Sequence, residues 1–199
     1  DGLLQPGEEA PAHQPQLLPG QVKLKNINGD DKLNEEDMVL IGRNDPKFIF
    51  GFNNNFSYKN FDLNIYMYGQ VGKIAGANSY YDAWGSYGNR IKLGQNVPVS
   101  FKDAWSSDNQ TSTRPSFIES AYGTGDLFLQ KISFLRIRNI TLGYTVPISK
   151  SICNRLRVYA DVNNPCVWTN WKGQDPETDS NTNAYPNVTS FSIGVDISF

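Results

Sequence analysis

Residues 48–71 read Phe48-Ile-Phe-Gly-Phe52-Asn-Asn-Asn-Phe56-Ser-Tyr58-Lys-Asn-Phe61-Asp-Leu63-Asn-Ile65-Tyr-Met67-Tyr-Gly-Gln-Val71. In the first half Phe48, Phe50, Phe52, Asn54, Phe56 and Tyr58 alternate with Ile49, Gly51, Asn53, Asn55 and Ser57. Successive side chains of a strand point to opposite faces, so this is a strand with one greasy face and one polar or small face. After Lys59-Asn60 the phase switches. Phe61, Leu63, Ile65, Met67 and Val71 then oppose Asp62, Asn64, Tyr66, Tyr68 and Gln70. Two such arms joined by two residues predict a hairpin.

The same period returns downstream. At 132–146, Ile140, Leu142, Tyr144 and Val146 oppose Asn139, Thr141, Gly143 and Thr145. Arg136 and Arg138 share the parity of the greasy set, so this strand either leaves the apolar layer or contains a bulge. Leu156, Val158, Ala160 and Val162 mark a fourth strand, and Phe191, Ile193, Val195, Ile197 and Phe199 a fifth. The connections are two residues, a long segment at 73–131, a short link near 147–155, and a second long polar loop at 163–188. Alternating short and long connections between long alternating strands are the signature of an outer-membrane barrel. Eleven residues tilted at ~45° cover roughly 26 Å of membrane normal, which matches the apolar band of such barrels. A soluble β-sandwich also alternates, but its strands are typically shorter.

Composition narrows the function. Lys+Arg is 18 and Asp+Glu 20, a net charge of −2, which lacks the basic excess of a nucleic-acid binder. Aromatics are 13% and charged residues 19%, too greasy for a disordered chain. The one His is His13, in a Pro/Gln-rich stretch, so neither a His-pair metal site nor a His-based catalytic arrangement is indicated. No phosphate-binding loop or dinucleotide fingerprint is present. The reading is a non-enzyme with no catalytic residues.

Several stretches together resemble the C-terminal portion of the SusC/RagA-type TonB-dependent outer-membrane receptors of Bacteroidetes. They are Pro19-Gly-Gln-Val-Lys-Leu-Lys-Asn-Ile-Asn-Gly-Asp30, Val39-Leu-Ile-Gly42, Pro46-Lys-Phe-Ile-Phe-Gly-Phe52, Phe134-Leu-Arg-Ile-Arg-Asn-Ile-Thr-Leu-Gly-Tyr144, Leu156-Arg-Val-Tyr159 and Trp171-Lys-Gly-Gln-Asp-Pro-Glu177. Ser192, Gly194, Ile197 and Phe199 follow the spacing of a terminal barrel-assembly signal. The resemblance implies an all-β fold: about five C-terminal strands of a larger up-and-down transmembrane barrel. Residues 1–47 would be an extracellular loop, and 48–199 the barrel strands with their long loops. It implies an importer of glycans or peptides, working with a SusD-like lipoprotein, and with TonB through a region N-terminal to these residues. The long loops would face outward and the C-terminus the periplasm, with lipid around the strands. The alternative is a soluble surface module that binds calcium or carbohydrate.

Two loops carry candidate sites. Asn26, Asn28, Asp30, the Lys32 carbonyl, Asn34 and Asp37 follow the spacing of an EF-hand-like calcium loop, although Asp31 stands where Gly normally makes the sharp turn. Tyr80, Tyr81, Trp84 and Trp105 in the long loop are candidates for contact with substrate or with the lid lipoprotein; the competing reading is packing within the loop itself. Asp175, Glu177 and Asp179 form a carboxylate cluster that the resemblance places in a structural loop. Cys153 is expected on the periplasmic side. Cys166 is expected just beyond the fourth strand, outside the cell, too far from Cys153 for a disulfide.

Overall fold

The computed structural model describes residues 2–76, 93–94, 96, 99–116, 126, 129–148, 153–178 and 184–199. It holds five strands: β1 (Phe48–Tyr58), β2 (Phe61–Gly76), β3 (Leu129–Val146), β4 (Arg155–Thr169) and β5 (Ser190–Ser198). They form one antiparallel sheet in the order β1-β2-β3-β4-β5, each strand beside its sequence neighbour. The sheet does not close on itself. The β1–β2 turn is Lys59-Asn60, with Lys59 in the left-handed region at φ 54°.

The register gathers the alternating residues into rows. Phe56, Leu63, Leu142, Ala160 and Ile193 lie side by side across all five strands. Tyr58, Phe61, Tyr144, Val158 and Val195 form the next row, and the Phe61 and Tyr144 rings meet at 4.7 Å. This face is bare: Phe52 is 54% exposed, Phe191 77% and Ile193 83%. A sandwich would bury it, because an extended apolar face in water is strongly unfavourable. A barrel wall instead turns it to lipid.

The opposite face holds Asn55, Asn64, Thr141, Asp161 and Ser192 in one row. Asp62, Gly143, Tyr159 and Gly194 lie in the row beside it. Towards the far end of β3 this face is covered: Ile132 is fully buried, and Phe134 and Arg136 are 4% and 3% exposed.

The bulge expected near Arg136 and Arg138 is present. Against β2 the register slips between Ile137 and Asn139, so Arg138 is the extra residue and Arg136 is delivered to the polar face. The three inner strands run further than the sequence pattern predicts. β2 reaches Gly76 and β3 begins at Leu129, inside the stretch read as loop. β4 continues to Thr169, where a loop was expected from 163. The cause is a second irregularity, with Asn164 at φ 50° and Pro165 beside it, which breaks the alternation without ending the strand.

The described chain divides into two compact units. The sheet belongs to residues 42–77 and 129–199; the other unit comprises 1–41 and 78–128. In that second unit Leu3 and Leu4 are buried, and Leu3 bridges Val22. Gly20, at φ 85°, lies so close under the Trp105 ring that a Cβ there would meet ring atoms at 2.3 Å.

Candidate functional site

The polar face of the sheet is knitted by side-chain amides. Asn64 Nδ2 donates to Asn53 Oδ1 at 2.8 Å and to Asn55 Oδ1 at 2.6 Å. Asn139 Nδ2 donates to Asp161 Oδ1 at 2.6 Å and to Asn163 Oδ1 at 3.0 Å, and Thr141 Oγ1 donates to Asp161 Oδ1 at 2.6 Å. These bonds run across strands, so each residue fixes its neighbour's rotamer. In the next row Arg157 of β4 reaches over β3 to Asp62 of β2, with Nη2 at 2.6 Å from Oδ2, and also contacts Asp196 of β5 at 3.1 Å. The reach is possible because Gly143 lies beneath it. A Cβ at that position would stand 2.5 Å from both the guanidinium and the carboxylate.

The buried end of this face carries the densest charge. Arg136 contacts Asp175 at 2.7 Å and Glu177 at 2.8 Å, and Arg138 contacts Glu177 at 3.2 Å. Asp175 also accepts from the backbone N–H of Glu177 at 2.9 Å and of Asn187 at 3.0 Å, and from the Asn187 amide at 3.2 Å. Burial opposes the Asp175 charge most strongly. The Glu177 and Asn187 N–H donors, the Arg136 charge and the Asn187 amide together outweigh it and hold the carboxyl below its ordinary value. Pro176 beside it is fully buried. The loop after β4 is therefore folded back onto the sheet, and both of its limbs converge on one carboxylate. Asp175 and Glu177 are spent on arginines, an arrangement for structure rather than for acid–base chemistry; Asp179 lies outside the described residues. Sequence reasoning missed this cluster because its partners stand 39 positions apart. The misplaced parity of Arg136 was the signal that pointed to it.

The Asn26–Asp37 loop folds around its own side chains. The Asn28, Asp30 and Asn34 oxygens accept the N–H of Asp30, Lys32 and Glu36, and both Asp37 oxygens accept backbone N–H, from Ile27 and Asn34. Those two backbone donors, Asn34 first, lower the Asp37 carboxyl. Asp31 takes φ 59°, so it supplies the left-handed turn that Gly normally makes. The oxygens keep further lone pairs, so the donor set fits a calcium ion as well as a metal-free Asx turn. Among the described residues no three His, Cys, Asp or Glu side chains cluster as metal ligands.

Trp105 lies half-buried on Gly20 and its indole N–H donates to Gln5 at 3.2 Å, so it packs against the N-terminal segment. Tyr80, Tyr81 and Trp84 lie outside the described residues. Ser192, Gly194 and Ile197 all lie in β5, with Phe199 directly after it, and Gly194 seats the Tyr159 ring, which a Cβ would meet at 2.3 Å.

Against known proteins, no family model matches the chain. A TonB-dependent receptor of Formosa agariphila is 28% identical over 201 residues, covering 91% of this chain and 19% of its own length. The TonB-dependent receptor SusC of Bacteroides thetaiotaomicron is 27% identical over 180 residues, covering 86% of this chain and 17% of its own length. Solved structures of the RagAB peptide transporter, and of the RagAB peptide importer in its open-open state, superpose with TM-scores of 0.67 and 0.66 over 85% of this chain at 24% identity. In sequence the chain is similar to TonB-dependent receptors, SusC among them, and in fold it is similar to the SusC/RagA-type RagAB importer. It spans about a fifth of the length of those it matches. The shared fold is a run of antiparallel barrel strands, and the sheet described above is an open segment of such a barrel.

Proposed function

We propose that the chain forms the C-terminal wall of an outer-membrane TonB-dependent importer, taking up glycans or peptides together with a SusD-like lipoprotein. The observation that carries this reading is the two-faced sheet: a predominantly apolar face for lipid, interrupted in β1 by Asn54, and a hydrogen-bonded polar face for a wet lumen, in one register across five strands. The short turns then lie at the periplasm, where Tyr58, Phe61 and Tyr144 make an interfacial aromatic row. The long connections lie outside the cell, where Tyr80, Tyr81, Trp84 and Trp105 would meet substrate or lid, and where the Asn26–Asp37 loop would take calcium weakly.

Cell fractionation tests the reading. The protein should sediment with outer membranes and leave them only in detergent. A protein that is monomeric in buffer without detergent is instead the soluble calcium- or carbohydrate-binding module, and the importer reading fails.

A further inference from the structure

Arg138 differs from Arg136 and Arg157, its neighbours on the polar face. Arg136 is buried between two carboxylates, and Arg157 lies between Asp62 and Asp196. Arg138 uses a single nitrogen, Nη1, for three long contacts: Glu177 at 3.2 Å, and Asn164 and Asn187 at 3.5 Å each. Among the described residues its Nε and Nη2 make no hydrogen bond or ion pair. Its one carboxylate is shared with Arg136, which approaches that oxygen more closely, at 2.8 Å. The side chain is 41% exposed. The bulge sets it on the polar face, and bulges commonly re-aim a side chain towards a binding site.

An arginine fork edge offers two parallel N–H groups, the geometry that a carboxylate or another oxyanion accepts in bidentate fashion. Amides stand around it: Asn164 and Asn187 within reach, Asn139 and Asn163 on the adjoining strand positions. We propose that Arg138 is a solute-recognition residue on the conduit wall, and that it takes the carboxylate of an acidic solute. The idea rests on the importer reading, because only there does the polar face meet cargo.

The test uses the intact receptor in detergent, selectively labelled with ¹⁵N-arginine, and sodium acetate as the carboxylate probe. The Arg138 Nε–H resonance should shift saturably while that of Arg136 stays still. Arg138→Lys keeps the charge but loses the fork, and acetate binding should weaken about tenfold. Arg138→Gln should abolish it. An unchanged acetate response in Arg138→Gln, or no saturable shift of Arg138 in the native protein, overturns the proposal. Failure of the importer reading shows separately, as a protein that needs no detergent.

Discussion

Arg136 illustrates how one side chain can decide the course of a loop. Its guanidinium is buried with two carboxylates from a segment 39 and 41 positions downstream, so removing it strands both charges. Arg136→Met should therefore cost about 3–5 kcal/mol, and protease cleavage within 170–189 should appear in the variant at concentrations that leave the native protein whole. The same cluster sets a pH response. Because the folded Asp175 carboxyl is lowered, its contribution is fully present above the ordinary aspartate value of 3.8 and is lost as pH falls through the lowered value. Loop protection, read by hydrogen exchange, should hold at pH 5 and fade only in stronger acid; fading between pH 7 and 5 would show that Asp175 does not govern it. The sequence showed Arg136 out of phase but not its partners, since no local pattern links residues that distant. Gly143 was similarly opaque. It looked like a small polar-face residue, whereas it is the gap through which Arg157 reaches Asp62.

Single strands were the most legible level. Period-2 alternation in 48–71 and 140–146 reports faces directly, and the register confirms them row by row. Boundaries were less legible, because a bulge inverts parity and a pattern that inverts reads as an ending. The face assignment has a sharp consequence. Phe52→Arg or Ile65→Arg puts a charge on the lipid face and should cost ~2–4 kcal/mol or block assembly. Asn53→Arg or Asn64→Arg loses amide bonds worth about 1 kcal/mol each and should still assemble. Heat-modifiable mobility on gels reads the assembled fraction, and equal damage at all four positions would refute the faces. The Asn26–Asp37 loop is the opposite case: its spacing was visible, yet the fold built from that spacing closes on its own Asx hydrogen bonds, and the calcium ion proposed for it has to be tested directly. Millimolar calcium should raise Tm in the native protein and not in the Asp30→Ala/Asp37→Ala variant. No rise in the native protein leaves the turn to its own hydrogen bonds.

For the whole molecule the governing fact is an open sheet. Among the described strands β1 and β5 are each paired on one side only, and unpaired backbone is not tolerated in hydrocarbon, so the wall needs further strands at both edges. The strand lengths also fix where the chain leaves the membrane. From Arg155 to Cys166, β4 climbs roughly 26 Å of membrane normal at ~45° tilt, about the height of the apolar band. In the proposed orientation Cys166 thus lies within β4 at its outer rim, opposite Ile137 and two residues before the exposed Trp168, and not beyond the strand as the sequence pattern suggested. Cys153 is buried before the strand begins, at the other end. Both thiols are free, and a strand of that length holds them far outside the ~7 Å Cα separation that a disulfide needs. On intact cells a membrane-impermeant maleimide should therefore modify Cys166 and spare Cys153, while denatured protein takes two labels. Modification of Cys153 from outside would invert the orientation of the wall. A Cys153–Cys166 disulfide in peptide maps of the native protein would require β4 to fold back on itself, and neither the register with β3 nor the barrel built on it would survive.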